Sequence, residues 1–225
     1  MRVAAALVTL LAVGSAFAAS HPGSADWRVR GPVLRGDLTG DGKLDMTVIE
    51  HKAPRTCRFR LVVRTEAGYL TASVRPEICD GKPAELYSGP DPHVDVLADV
   101  DGRPGLEIVV QLGHGAHTEF ADIWAVRSGT LRRFAGHEPH ISYGGSVGTG
   151  SHVVDCARRP GVILESTLIY EPPARIIRRW YRVRGLRMHR IRTRAVRWPA
   201  EKAVPFHEFG HPQPFPTCAK ARAPR

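Results

Sequence analysis

The sequence predicts an all-β protein made of three repeated four-stranded antiparallel meander units. Three observations carry this reading. Glycine and proline supply 22 and 18 of the 225 residues. Few long stretches escape either, so the uninterrupted helices of a bundle, a Rossmann fold or a TIM barrel have no room. Apolar and polar residues alternate with the period of a strand in several short runs. An Asp/Gly-rich loop recurs from Asp37 to Asp99, 62 residues on, and again at Asp155, a further 56 on, which is the signature of a repeat architecture.

The chain opens on a signal peptide over residues 1–19. Arg2 is the basic start, Val3 to Val13 the apolar stretch, and Ala16-Phe17-Ala18 a small-x-small cleavage pattern. That stretch is too short to cross a bilayer, and no later run is long enough for a transmembrane anchor. Cys57 is the first cysteine, too far from the cleavage pattern to be acylated. The expected product is secreted and soluble.

The first repeat begins with Gly36-Asp37-Leu38-Thr39-Gly40-Asp41-Gly42-Lys43-Leu44-Asp45. Asp37, Thr39, Asp41 and Asp45 put side-chain oxygens at loop positions 1, 3, 5 and 9, the Lys43 carbonyl adds a donor at 7, and Gly42 allows the sharp turn. Calcium takes six to eight hard oxygen ligands, which this spacing supplies. No Glu closes the loop at position 12, and Met46-Thr47-Val48-Ile49 reads as a strand, so the loop is not an EF-hand. In the second repeat Asp99, Asp101 and Glu107 occupy positions 1, 3 and 9 as a degenerate second site. The third keeps only Asp155. Arg103 and Arg159 stand at the centre of the later loops, where a guanidinium can replace an ion by pairing with Asp99 or Asp155.

A hairpin follows each loop. Phe59 to Thr65 turns at Glu66-Ala67-Gly68 into Tyr69 to Val74. Phe120 to Arg127 turns at Ser128-Gly129 into Thr130 to Phe134, and Ile176 to Arg184 turns at Gly185 into Leu186 to Thr193. A strand before the loop, one after it and a hairpin make a propeller-blade pattern. The units span about 25–80, 90–140 and 141–198, with a Pro-rich tail over 199–225. Gly144-Gly145-Ser146-Val147-Gly148 reads as a Gly-rich turn entering the third unit.

The loops Gly36–Asp45 and Ala98–Ile108 resemble FG-GAP/VCBS-type repeats, most clearly at the first. The arrangement is also similar to small secreted actinobacterial repeat proteins. The resemblance implies an integrin-α-like β-propeller fold with calcium as the cofactor in the inter-strand loop. Three units are fewer than the four to eight blades of a closed propeller.

Four cysteines allow three disulfide connectivities, and the most local pairs Cys57 with Cys79 and Cys156 with Cys218. Net charge is +10, with 32 Lys and Arg residues. Ten of the 23 residues from Arg175 to Arg197 are Arg, interleaved with Trp180 and Tyr181. Strand alternation expects Arg190, Arg192 and Arg194 on one face, either a solvated edge or an anion-binding surface. An exported protein meets anionic cell-envelope polymers or glycans rather than specific nucleic acid.

Several motifs suggest enzymes. His207-Glu208-Phe209-Gly210-His211 matches H-E-x-x-H, but Gly210 and Pro212 oppose the helix that would bring both imidazoles to one zinc. Gly144 to Gly148 matches G-x-S-x-G without the following helix of a nucleophile elbow. His114, His117, His137 and His140 lie in loop-like segments, and Arg35-Gly36-Asp37 shares Asp37 with the calcium loop. The expected role is that of a calcium-binding, non-enzymatic binding or envelope-associated module. A secreted hydrolase using Ser146 or the His-rich loops is the alternative.

Overall fold

The computed structural model describes residues 26–52, 57–76, 92–114, 118–136, 141–145, 150–169, 173–199 and 213–222. Among these residues there is no α-helix, and the strands form two antiparallel sheets. The smaller contains β1 (Trp27–Gly36), β2 (Asp45–Lys52), β3 (Phe59–Thr65) and β4 (Gly68–Val74), in that order. The larger begins with β5 (His93–Ala98), β6 (Glu107–His114), β7 (Glu119–Arg127), β8 (Thr130–Arg133) and β9 (Ile141–Gly145). It continues with β10 (Gly150–Cys156), β11 (Val162–Ile169), β12 (Arg175–Arg184), β13 (Arg187–Arg197) and β14 (Ala219–Arg222). Its order is β13-β12-β11-β10-β9-β7-β6-β5-β14, with β8 on β7.

Three meanders pair in chain order: β1 to β4, β5 to β8 and β10 to β13. The all-β expectation holds, but the second and third meanders are not separate. Gly144 and Gly145 belong to a strand, β9, rather than a turn, and β9 pairs with both β7 and β10. The result is one ten-stranded sheet, and among the described residues neither sheet closes on itself. The β7–β8 turn, Ser128-Gly129, holds two residues at positive φ, 51° and 69°. That conformation matches the twist of the strands it joins.

The second meander is buried on both faces. Ile108, Val110, Leu112 and Trp124 pack against Leu34, Ile49, Leu61 and Val63 of the first meander. Val109, Ala121 and Ile123 face the other way, onto Tyr143, Val154, Ile163 and Phe215. This explains why β6 reads as a near-continuous apolar run, Ile-Val-Val, and not as an alternating one.

The three Asp-rich loops stack in series. The Leu106 amide donates to the Asp37 carbonyl at 2.8 Å, and the Gly161 amide to the Val100 carbonyl at 2.7 Å. Gly40 and Gly102, equivalent in their loops, sit at φ 82° and 74°. A Cβ on them would meet Pro104 at 2.7 Å and Pro160 at 3.2 Å. Each glycine thus makes room for the proline of the following loop. The equivalent third position is Arg158, at φ 71°. The second residue of each loop points inward: Leu38, Val100 and Cys156 are all buried.

Cys156 is bonded to Cys218 with a Cα separation of 6.0 Å, as expected. Cys57 is also disulfide-bonded; Cys79 lies outside the described residues. The bridge fixes the C-terminal segment against the loops. The Phe215 amide donates to the Val154 carbonyl at 2.9 Å, and the Asp99 amide to the Cys218 carbonyl at 3.0 Å. The segment read as a Pro-rich tail also contributes a strand, β14, on the edge of β5. Among the described residues no helix is long and apolar enough to cross a membrane.

Candidate cation loops and a basic face

In loop 1 the carboxylates are turned onto their own backbone. The amides of Gly40 and Asp41 donate to Asp37 Oδ1 at 2.7 and 3.1 Å, and that of Gly42 to Oδ2 at 2.9 Å. Asp45, buried, accepts the Leu38 and Thr39 amides on Oδ2 at 2.9 and 3.0 Å. Asp41 Oδ1 takes the Lys43 amide at 2.9 Å, and the Lys43 ammonium pairs with Glu66 in the β3–β4 turn. Thr39 Oγ1 is buried without a hydrogen-bond partner. The Asp37 carboxylate of the Arg35-Gly36-Asp37 tripeptide is thus turned into its own loop, on three amides.

Loop 2 gathers its carboxylates instead. Asp99, Asp101 and Glu107 bring one oxygen each to within 4.8 Å of one another, the one such set among the described residues and one that could hold a metal ion. Glu107 accepts the Val100 amide at 2.7 Å. The cation already beside them belongs to the protein: Arg127 Nη2 donates to Asp101 Oδ2 at 2.8 Å and to Glu107 Oε1 at 2.5 Å. Burial, reinforced by Asp101, pushes the Glu107 carboxyl up to about 7, against the pull of the Val100 amide and Arg127. Two carboxylates share one guanidinium, with Asp99 close by, so the cluster keeps excess negative charge that a proton on Glu107 relieves.

The guanidinium expected here was that of Arg103 or Arg159. Both side chains are exposed and form no ion pair among the described residues. Arg127 does the work because β7 reaches further over its loop than β3 does. Met46 pairs with Arg64, one residue before Thr65 closes the β3–β4 turn. Its counterpart Ile108 pairs with Trp124, three residues before Arg127 closes the β7–β8 turn. That two-residue offset carries the end of β7 across Asp101 and Glu107. Register of this kind is set by turn length and packing, and no local sequence signal marked Arg127.

Loop 3 uses a third solution. Asp155 Oδ1 accepts the Thr217 hydroxyl at 2.8 Å and the Thr217 and Cys156 amides at 3.0 and 2.7 Å. Its lone carboxylate is held by the C-terminal segment.

The basic strand β13 is exposed along almost its whole length, but the expected face is corrected by its register. A bulge lies at Ile191, since Arg190 pairs with Tyr181 and Arg192 with Trp180. An extra residue reverses the alternation. Arg192 and Arg194 therefore share a face with Trp180 and Arg178, while Arg190 lies on the Tyr181 face. The Arg192 guanidinium stands 5.0 Å from the Trp180 ring centroid. Arg182, Arg184, Arg192 and Arg194 form no ion pair among the described residues; the one carboxylate on β11 facing this hairpin, Glu165, is taken by Arg179 and the Tyr181 hydroxyl, both at 3.2 Å.

Ser146, His117, His137, His140, His207 and His211 lie outside the described residues, and His114 is described only as the last backbone position of β6. No family model, curated protein or solved structure matches this chain.

Proposed function

We propose that this chain is a secreted, non-enzymatic binding module of the FG-GAP/VCBS kind, with three propeller-like blades. Its β12–β13 hairpin engages anionic polymers or glycans of the cell envelope. The observation that carries this reading is the face shared by Trp180, Arg192 and Arg194, where the Arg192 guanidinium stands over the indole and neither arginine has a carboxylate partner among the described residues. Guanidinium pairs bidentately with phosphate and carboxylate, and the indole offers a flat surface to a sugar. A strand edge that only had to stay soluble would serve equally well with mixed charges.

Calcium is the proposed cofactor of loop 1. Its donors are hard oxygens throughout, and the buried Thr39 Oγ1, otherwise without a partner, gains one if an ion sits beside it. Asp37, Thr39, Asp41, the Lys43 carbonyl and Asp45 would hold it, and the ion would cross-link the strands that flank the loop.

Retention of the mature protein on an immobilised phosphate-bearing polymer tests the binding role. Retention should weaken steeply between about 50 and 200 mM salt, as expected when bound counterions are released. Arg192→Ser with Arg194→Ser should abolish it without changing the melting curve. Equal retention of the double variant and wild type at low salt refutes the role of this face.

A further inference from the structure

Among the described residues no meander precedes the first. On its outer face Val48 and Val62 are buried, but the end nearest loop 1 is open, and its sequence differs there in a specific way. In the second meander, Leu97, Ile108 and Trp124 form one cross-strand row, buried because the first meander packs on it. The same row in the first meander is Arg35, Met46 and Arg64. Two of three packing residues have become arginines, and the apolar one between them is Met46 in place of Ile108.

This row lines a cavity of about 520 Å³ together with Lys43, Leu44 and Glu66. Leu44 is 76% exposed, whereas its counterpart Leu106 packs into the core. Lys43 is paired with Glu66. Arg35 and Arg64 form no ion pair among the described residues; Arg64 leans on Tyr69, 6.0 Å from its ring centroid. Three cations against one carboxylate leave a net positive cavity, with Leu44 and Met46 as its apolar lining.

We propose that this cavity is a binding site for a small molecule carrying an oxyanion head group, phosphate or carboxylate, on an apolar ring or chain. Arg35 and Arg64 flank the head group from opposite sides of Met46. Their forked donors suit a planar or tetrahedral oxyanion. Leu44 and Met46 contact the apolar body. A terminal unit needs a polar outer face for solubility alone, but that need is met by a convex surface of mixed charge. It does not account for a concave one with unpaired guanidiniums around an exposed leucine. The site is independent of the β12–β13 face, which lies on the far edge of the other sheet.

Methionine methyl NMR on the mature chain provides the test, because removal of residues 1–19 leaves two of the three methionines, Met46 and Met188. Met46 lies in the cavity and Met188 in the core, so one reports binding and the other the fold. Phenyl phosphate should shift the Met46 methyl saturably and leave Met188 in place. Arg35→Gln with Arg64→Gln should weaken this by about tenfold or more, since charge-assisted forked bonds are lost. Arg192→Ser with Arg194→Ser should leave it unchanged. Inorganic phosphate should bind more weakly than phenyl phosphate, and benzoate separates carboxylate from phosphate as the preferred head group. A Met46 methyl that does not move with either aromatic anion overturns the proposal. Equal shifts with inorganic and phenyl phosphate, unaffected by Leu44→Ser, overturn the apolar half of it.

Discussion

Loops 1 and 2 start from nearly the same residues and neutralise them in different ways. In loop 1, the first of the described stack, the carboxylates of Asp37, Asp41 and Asp45 accept six backbone amides among them. In loop 2 two carboxylates converge under Arg127, in the middle of the stack, where the side chains of Asp101 and Glu107 are 2% and 0% exposed. The lesson concerns burial. An exposed acidic loop can be satisfied by amides and solvent, and it can accept an ion from outside. Burial alone does not force a countercharge, since Asp45 is also buried and two amides satisfy it. In loop 2 two buried carboxylates lie side by side, and that pair needs a permanent cation, since an unpaired charge out of water costs several kcal/mol.

Removing that countercharge should have the largest effect. Arg127→Met leaves Asp101 and Glu107 buried without a cation and should cost about 3–5 kcal/mol of stability. Urea denaturation with calcium and with EDTA should show that the variant regains stability from the metal, because the seat of the guanidinium is then open. If Arg127→Met is as stable as wild type and indifferent to calcium, the contrast between the loops fails.

The next test uses pH. Glu107 holds its proton more tightly folded, at about 7, than at its ordinary 4.5. Its contribution favours the folded state fully below about 4.5 and is lost as pH rises through about 7. Stability measured across that window should therefore fall with rising pH. Glu107→Gln should flatten the slope while keeping an acceptor for the Val100 amide. A slope unchanged in the Gln variant would assign the pH dependence to another group.

The smallest effect belongs to the exposed side of the comparison. Calcium bound only by the folded state should raise the wild-type Tm with its concentration, and Asp41→Ala should abolish that response while barely altering the Tm in EDTA. A rise that survives in Asp41→Ala would move the calcium away from loop 1.

Much of the strand pattern was legible in the residues themselves. β3 lies at Phe59–Thr65 as its alternation predicts, and Ser128-Gly129 makes the turn its composition implies. Local chemistry determines such features. What depends on register was not legible. The bulge at Ile191 moves Arg190 off the face of Arg192 and Arg194, and the two-residue reach of β7 brings Arg127 to loop 2. Both arise from how strands slide to satisfy the core, which no window of sequence contains. β9 and β14 escaped for a related reason: Gly144-Gly145 and the Pro-rich tail have poor strand propensity, and pairing with β7, β10 and β5 overrides it.

Arg158 bears on how such a chain can grow. Gly40 and Gly102 carry no side chain where the next loop's proline rests, but the third loop has an arginine there, held in the same left-handed backbone. That conformation costs a residue with a Cβ about 1–2 kcal/mol, and among the described residues no further loop rests against it. Tandem duplication of the last repeat would bring a new Pro160 equivalent onto the Arg158 Cβ. Lengthening the gene by another copy would therefore favour a glycine at this codon.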